Sequence, residues 1–408
     1  TASTTVSIAN EPPTIDSAAL TPAYPNVHDT LLCAATASDV DSSNVSLSFE
    51  YINVTTGTIY YPTSFADNYA ELNMTNLGLN PYEEVMCTIT ATDSNGATDV
   101  QYFSTIVSPL CTLTDCDLAV DVGSTQTEFV TVASGSFEMG SPSTEVGRGQ
   151  DETPYTVQLT EDIWVMTTEV TQGMFFDLLG YDAADGLSTG DTLGSYGVGL
   201  DYPAYHVNWH MAADLANAMT LQHNVLFGSN LQACYSCTGT GVTVMCTPTV
   251  DPYLCSGYRM LTESEWEYTA RAGAADSYWT PSGGGGLPAS YDVNTTTLSN
   301  GFALDNYAWY AATMSANYGS QSVAQWMAND FGVHDMSGNL GEWVHDEYVV
   351  YPTSLSTNPI FSGGSSAVTR GGAWNDSPEW LRSAARNPMD ATTRSEFIGM
   401  RLGRTQTQ

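Results

Sequence analysis

The distribution of cysteine constrains this chain more than any other feature of its sequence. All eight cysteines lie in the first 255 of 408 residues. They are Cys33, Cys87, Cys111, Cys116, Cys234, Cys237, Cys246 and Cys255. An even number of cysteines in a chain rich in serine, threonine, glycine and tyrosine is typical of secreted proteins held by disulfides. We therefore expect an extracellular protein, at a bacterial cell surface or in an extracellular fibre.

The spacing of the cysteines groups them but leaves their pairing open. Cys33 and Cys87 are 54 residues apart on two predicted strands, which suits one bridge between two sheets. Cys111 and Cys116 either close a small loop or bridge to neighbouring cysteines. The last four form a C-x2-C-x8-C-x8-C cluster. Two disulfides explain this cluster better than zinc does, because a zinc site usually takes two C-x2-C pairs.

Acidic residues far outnumber basic ones in this chain. There are 45 Asp and Glu against 9 basic residues, which gives a formal net charge of −36. All of the basic residues are arginine, and lysine is absent. Such a charge repels nucleic acids and anionic membranes and attracts divalent cations. We therefore expect no nucleic-acid partner and no lysine-based chemistry.

The apolar segments are short, and none reaches the roughly 20 residues that a membrane-spanning helix needs. The sequence opens at Thr1 with polar residues, without an initiator methionine or an apolar signal core. These features indicate a processed chain with no membrane span.

Residues 1–108 alternate apolar and polar residues in the way that is typical of β-strands. Segments 45–49 and 85–91 show this alternation and are bounded by Pro, Asn, Asp or Gly. Several short strands without a helical period predict an all-β sandwich.

Four segments of this region match a known kind of module. They are 11–15 (EPPTI), 32–35 (LCAA), 37–41 (ASDVD) and 87–93 (CTITATD). On these segments, residues 1–108 resemble the immunoglobulin-like modules of secreted bacterial proteins, which implies a spacer or adhesion module. Asp39, Asp41, Asp93 and Asp99 could chelate calcium, whereas turn-forming aspartates are the simpler interpretation.

A short N-terminal segment also alternates like a strand, before the proline break at residues 12–13. It consists of Thr4, Thr5, Val6, Ser7 and Ile8. This strand either adds to the open sheet edge of a neighbouring subunit or forms an edge of its own sandwich. A contact of the first kind that does not close on itself would produce a filament.

The composition changes after a linker predicted at residues 109–126. Residues 127–408 are rich in aromatic residues and glycine, and two helices are clear. Apolar residues recur with helical spacing over Trp209–Gln222. Thr262 and Glu265 form a capping box that opens the second helix. The four-cysteine cluster lies between the helices, in an insertion predicted at 229–256.

Nine segments of residues 127–408 together carry a second resemblance. They are 129–132 (FVTV), 135–141 (GSFEMGS), 168–172 (TEVTQ), 202–204 (YPA), 207–209 (VNW), 257–268 (GYRMLTESEWEY), 331–343 (FGVHDMSGNLGEW), 370–374 (RGGAW) and 399–401 (GMR). On these motifs the region resembles the formylglycine-generating enzyme, or sulfatase-modifying factor, family. The resemblance implies an irregular α+β fold of the C-type-lectin type.

The enzymes of that family carry a cysteine pair shortly after the Arg-Gly-Gly segment, where thiolates bind copper(I). The corresponding stretch here, from Arg370 to Arg386, contains no cysteine. We therefore expect neither copper nor catalytic residues in this protein.

The resemblance also implies one calcium ion. Its ligands would be side-chain oxygens of Asp335 and Glu342 and the backbone carbonyls of Gly338 and Leu340. Calcium prefers oxygen ligands and would hold together a loop with few regular hydrogen bonds. An ordinary turn around a buried Asn339 is the alternative.

Three classes of function remain. A non-catalytic structural or adhesive protein fits best, self-associating into a filament or surface assembly through its N-terminal strand. A carbohydrate-binding protein is the alternative, with tryptophans as stacking faces for glycans. An active oxidoreductase of the family is the least favoured, because the cysteine pair is missing.

Overall fold

The computed structural model describes residues 10–21, 30–41, 44–75, 77–79, 83–107, 118–122, 125–187, 196–292, 296–313 and 318–406. The chain divides into two units, Thr1–Cys116 and Asp117–Gln408.

The described part of the first unit consists of antiparallel strands in two sheets. The strands are β1 (Thr14–Thr21), β2 (Thr30–Ser38), β3 (Ser46–Asn53), β4 (Thr58–Tyr60), β5 (Ser64–Ala66), β6 (Tyr69–Asn73), β7 (Glu84–Thr92) and β8 (Thr98–Ile106). Their orders are β1-β2-β6-β5 and β4-β3-β7-β8. Apolar residues of both sheets, such as Leu31, Leu72 and Ile89, share one core. The predicted alternation therefore marks which residues face inward.

Two connections join these sheets across the core. Cys33 on β2 is bonded to Cys87 on β7. The hydroxyl of the buried Tyr51, on β3, lies 3.1 Å from the carbonyl oxygen of Leu31 and 2.8 Å from that of Ala70. Both carbonyls belong to the opposite sheet. The buried hydroxyl of Tyr51 therefore finds its hydrogen-bond partners on the other side of the core.

The segment 109–126, predicted to be a linker, contains part of a sheet. Strand β9 (Leu118–Val122) pairs antiparallel with β10 (Thr125–Val132). The second unit accordingly begins at Asp117, ten residues before the predicted start of that domain. Cys111 and Cys116 lie outside the described residues, so their pairing stays a prediction.

The rest of the second unit has short strands and few helices. The helices are α1 (Gln172–Leu179), α2 (Trp209–Phe227) and α3 (Glu263–Arg271). The strands after β10 are β11 (Gly135–Met139), β12 (Tyr155–Leu159), β13 (Ile163–Met166), β14 (Tyr235–Thr238), β15 (Met245–Pro248), β16 (Arg259–Met260), β17 (Gly341–Glu347), β18 (Ser356–Thr357), β19 (Ala367–Arg370), β20 (Asn387–Met389), β21 (Ile398–Met400) and β22 (Leu402–Thr405). They form the sheets β16-β22-β13-β10-β9, β11-β12-β18, β14-β15 and β20-β19-β17-β21.

Both predicted helices of this unit are present. Helix α2 is capped by the side chain of Asn208 and ends at Phe227, five residues beyond the predicted Gln222, just before the left-handed Gly228. The capping box of α3 is confirmed, since the hydroxyl of Thr262 accepts the N–H of Glu265 and the Glu265 carboxylate accepts the N–H of Thr262.

Helix α3 carries three buried glutamates, and each binds an arginine from another part of the unit. The closest pairs are Glu263 with Arg386 at 2.6 Å, Glu265 with Arg259 at 2.7 Å and Glu267 with Arg370 at 2.5 Å. A charge held away from water is costly unless an opposite charge and hydrogen bonds compensate it. These pairs therefore fix where β16, β19 and the loop before β20 meet α3.

We expect the substitution Glu267→Gln to lower the free energy of unfolding of the second unit by roughly 3 kcal/mol, because it leaves buried guanidinium charge without its partner. Glu267 also accepts the N–H of Gly140 and two N–H groups of Arg271. All nine tryptophans lie after residue 116, so tryptophan fluorescence during denaturant unfolding reports this unit alone. Glu128→Gln, at an exposed position of β10, is the matched control, expected within about 0.5 kcal/mol of the parent. Equal effects of the two substitutions would contradict the role given to Glu267.

Candidate calcium loop and ligand cleft

The loop before β17 contains the predicted calcium ligands. Its residues Asp335, Gly338 and Asn339 have φ angles of 58°, 83° and 59°. Only glycine fits at 338, because a Cβ there would overlap the carbonyl oxygen of Trp309. The chain is therefore held in one irregular path before it enters the strand.

Asn339 fixes this loop from within and is 1% exposed. Its side-chain N–H donates to Glu169 Oε2 at 2.7 Å, and its Oδ1 accepts the N–H of Gln321 at 2.9 Å. Its backbone N–H donates to the carbonyl of Trp309, and its carbonyl accepts the N–H of Trp374, both at 2.9 Å. Asn339 thus joins the loop to several other segments of the second unit.

The two predicted carboxylate ligands have different surroundings. Asp335 Oδ2 accepts the N–H of Ala324 at 2.7 Å, and no donor among the described residues bonds to its other oxygen. Both oxygens of Glu342 are engaged. They accept N–H groups of Arg401 at 2.8–3.2 Å and the indole N–H of Trp266 at 2.7 Å. Asp335 is therefore the more available of the two for a cation.

A third carboxylate, Glu169, lies beside the loop and was not among the predicted site residues. It is fully buried and accepts the N–H of Leu340 at 3.0 Å. Burial, followed by the charges of Asp335 and Glu342, raises the pKa of Glu169 well above its usual value. Burial also raises the pKa of Asp335. The sequence signal for Glu169 is its place in the family motif 168–172 (TEVTQ), which does not by itself connect it to the loop before β17.

Within the described ranges, one guanidinium pairs with these three carboxylates, that of Arg401 with Glu342. The cluster therefore carries a surplus of buried negative charge when its groups are ionised. Such a surplus is relieved either by protons or by a bound cation.

The stretch from Arg370 to Arg386 lines an open cleft of about 380 Å³. Its walls include Gly372, Asn375, Asp376, Trp380, Asn387 and Phe397. The guanidinium of Arg386 binds the buried Glu263 instead of standing free in the cleft. Burial raises the pKa of Asp376, whose carboxylate accepts the N–H of Ala373. The cleft thus offers amide, carboxyl and aromatic groups, and the stretch itself has no thiol.

Exposure separates the aromatic residues of this unit. The core contains Tyr310, Trp343 and Trp374. Trp380, in contrast, is 47% exposed at the cleft. Trp309 and Trp326 are half-buried and lie against each other, with ring centroids 4.9 Å apart. Trp380 is therefore the tryptophan of the cleft that is best placed to contact a ligand.

The four cysteines of the predicted insertion form two disulfides, Cys234 with Cys255 and Cys237 with Cys246. Asp214 lies near the second of these. A disulfide provides no thiolate, so this grouping does not suit zinc. One disulfide thus links the two strands of the β14–β15 hairpin, and the other links the chain just before the hairpin to the chain after it.

The aspartates of the first unit are only partly brought together. Oxygens of Asp39, Asp41 and Asp93 lie within 4.8 Å of one another. Asp99 instead accepts the N–H of Ile15 at 2.9 Å. The predicted assembly strand Thr4–Ile8 lies outside the described residues.

Comparisons with known proteins agree with this arrangement. The sulfatase-modifying factor enzyme 1-like domain matches residues 118–406. The chain is 24% identical to the chaperone protein LppX of Paenibacillus barcinonensis over 256 residues, or 60% of this chain and 81% of that protein. It is 31% identical to the formylglycine-generating enzyme of Mycobacterium tuberculosis over 162 residues, or 36% of this chain and half of that enzyme.

Two solved structures share the fold. Treponema denticola variable protein 1 has a TM-score of 0.55 at 23% identity, and PvdO from Pseudomonas aeruginosa has 0.51 at 23%. Each comparison covers 71% of this chain and 99% of the other. Among the described residues, no helix combines the length and the hydrophobicity of a membrane span. By its match from residue 118 to residue 406, this chain belongs to the sulfatase-modifying factor enzyme 1-like family.

Proposed function

We propose that this protein is a non-catalytic, extracellular structural or adhesive protein. One observation carries the proposal: the stretch Arg370–Arg386 lines an open cleft but has no cysteine. Copper(I) is bound by soft sulfur ligands. The cleft lining contains no cysteine, and its sulfur comes from the thioether of Met389 alone, beside amide, carboxyl and aromatic groups. Such groups are suited to recognition. The cleft is then a surface for a partner rather than a centre for oxygen activation.

The first unit is proposed to be an immunoglobulin-like module that assembles subunits. Its two sheets end in the edge strands β1, β5, β4 and β8. Of these, β1 has 8 residues and β8 has 9. Long edge strands present unpaired backbone groups that can accept a further strand. The segment Thr4–Ile8 of one subunit would supply that strand to the next, and head-to-tail repetition would extend a filament.

One calcium ion is proposed at the loop before β17. Asp335 and the carbonyls of Gly338 and Leu340 would hold it, and Glu342, which shares its carboxylate with Arg401, would complete the set. The surplus of buried carboxylate around Glu169 supports this proposal. The ion would neutralise that charge and keep the irregular loop in shape.

Carbohydrate binding at the same cleft is the alternative function. The half-exposed ring of Trp380 stands among the side chains of Asn375, Asp376 and Asn387. An aromatic face beside planar polar groups is an arrangement that suits a sugar ring with its hydroxyls.

Negative-stain electron microscopy of the secreted protein tests the assembly. Filaments are expected from the parent at moderate salt, where the repulsion between highly acidic subunits is screened. Val6→Pro should abolish them, since proline cannot donate to a ladder, whereas Val6→Thr should keep them. Dispersed monomers from the parent, or filaments from Val6→Pro, would refute assembly through this strand.

Calcium removal tests the metal site. At a concentration one hundred times its dissociation constant, calcium should raise the free energy of unfolding of the second unit by about 2.7 kcal/mol. Asp335→Asn should lose most of this gain, and Asp41→Asn, in the first unit, should retain it. Tryptophan fluorescence is the readout, and the purified protein should contain calcium without stoichiometric copper.

The pH dependence of the calcium-free protein has a defined sign. Because the folded state raises the pKa values of Glu169 and Asp335, it holds their protons to higher pH than the unfolded chain does. The free energy of unfolding in chelator should therefore rise as the pH falls from 7 toward the unfolded pKa values near 4. Calcium should weaken that rise, and the same slope with and without calcium would count against the site.

A glycan array separates the alternative from a purely structural role. If the cleft binds sugar, the parent should give specific signals that Trp380→Ala weakens at least tenfold, since it removes the stacking face. Phe176→Ala, at a 56% exposed position of α1, should leave those signals unchanged. An array without specific signals would leave the structural role as the sole candidate of the two.

A further inference from the structure

A second pocket lies in the same unit, apart from the cleft that contains Trp380. It has a volume of about 440 Å³ and mostly apolar walls. Five parts of the chain form it: the start of α2, the disulfide-bonded insertion at Cys246–Pro252, the end of β17, the loop 360–367, and Ala391. Its size is that of pockets that bind small organic molecules.

The walls of this pocket are fixed in place. The Cys237–Cys246 disulfide holds one wall, and the N–H of Cys246 donates to His210 Nδ1 at 3.1 Å. The indole N–H of Trp209 donates to the carbonyl of Val344 at 2.9 Å, which sets the orientation of that ring. A pocket that is already formed costs a ligand little ordering free energy.

One buried polar side chain in the pocket has a ring nitrogen without a partner. His345 is 7% exposed, and its Nδ1 lies 3.0 Å from the hydroxyl of Tyr235. Among the described residues, no group hydrogen-bonds to its Nε2. This nitrogen is not one of the atoms that are fully shut off from solvent without a partner, so a molecule in the pocket can reach it.

The tautomer of His345 follows from the bonds of Tyr235. The N–H of Met260 donates to the Tyr235 hydroxyl at 3.3 Å, so that oxygen already accepts one bond. The O–H of Tyr235 then donates a hydrogen bond to His345 Nδ1, the other group that it contacts among the described residues. The remaining nitrogen, Nε2, therefore carries a hydrogen and offers a donor. Burial lowers the pKa of His345 to about 4, so the ring is neutral near pH 7.

The charges around the pocket limit what it can take. Carboxyl groups of Asp251, Asp346 and Glu347 belong to the lining, and no arginine does. All three carboxyl groups already accept backbone N–H groups. Burial raises the pKa of Asp346 to about 8, so this carboxyl is mostly protonated at pH 7. An anionic ligand would still lie near the carboxylates of Asp251 and Glu347 without a cation to pair with, which disfavours it.

From these observations we propose that this pocket binds an uncharged aromatic molecule whose oxygen accepts a hydrogen bond from His345 Nε2. The rings of Trp209 and Phe361 line the pocket and provide aromatic contact. The site is separate from the proposed calcium loop and cleft, so neither its success nor its failure depends on the proposed function.

Three probes of nearly equal shape test the proposal on the full chain at pH 7. They are 2-acetylnaphthalene, which has an acceptor oxygen, 2-ethylnaphthalene, which lacks one, and the anion 2-naphthoate. By calorimetry we expect 2-acetylnaphthalene to bind with a dissociation constant of about 1 mM or tighter. The ethyl compound should bind about fivefold more weakly, since it leaves the His345 donor unsatisfied. The naphthoate should bind at least about tenfold more weakly. The Nε2 resonance of His345 should shift only with the acetyl compound.

Two variants separate binding at this pocket from binding elsewhere. Ser365→Trp fills the pocket from an exposed rim position and should abolish binding, whereas Ser282→Trp, an exposed serine outside the lining, should leave it unchanged. His345→Phe should reduce the affinity for the acetyl compound to that for the ethyl compound. Ser365→Trp still decides the matter if His345→Phe does not fold. No binding of 2-acetylnaphthalene, unchanged binding to Ser365→Trp, or naphthoate binding of equal strength would each overturn the proposal.

Discussion

Buried pairs of arginine and glutamate hold the second unit together. Strands in this unit are short, so regular hydrogen bonding alone leaves long stretches of chain without a fixed position. The three glutamates of α3 supply fixed negative charges in the interior. They bind the nearby Arg259 and the arginines Arg370 and Arg386, which lie more than 100 residues later in the sequence. Arg382 does the same for the loop after β11, where it binds Glu152 at 2.8 Å. Each pair is stable only when complete, because an unpaired buried charge is strongly destabilising. The irregular loops are therefore positioned by charge as much as by apolar packing.

The same principle connects the core to the two surfaces for which a function is proposed. Arg401 and Trp266 hold Glu342, and so fix the end of the loop that contains Asp335. Arg386 binds Glu263 and thereby removes a cation from the cleft near Trp380. The pocket at His345 lies on the other end of β17, bounded by the stapled hairpin. Buried arginine–glutamate pairs thus support the calcium loop and the cleft, and β17 connects the loop to the His345 pocket. The groups that face solvent differ among these three sites.

The sequence predicts strands and helices better than it predicts the functional sites. Alternation places Cys33 and Cys87 at inward positions, and the capping box marks the first turn of α3, because both patterns are local. The role of Glu169 depends on a loop some 170 residues later in the chain, and no local pattern announces such a contact. For the same reason the sequence does not reveal that Arg401 binds Glu342, 59 residues earlier in the chain. The His345 pocket requires five separate segments to meet, so it becomes visible only in three dimensions.

The position of the arginines has a consequence for how well the folded protein resists proteases. Seven of the nine are buried: Arg259, Arg271, Arg370, Arg382, Arg386, Arg401 and Arg404. Trypsin-like proteases cut after lysine or arginine, and this chain has no lysine. In the folded state such an enzyme meets only Arg148 and Arg394 outside the interior. The burial of arginine in the core therefore also leaves proteases of this class few accessible cleavage sites.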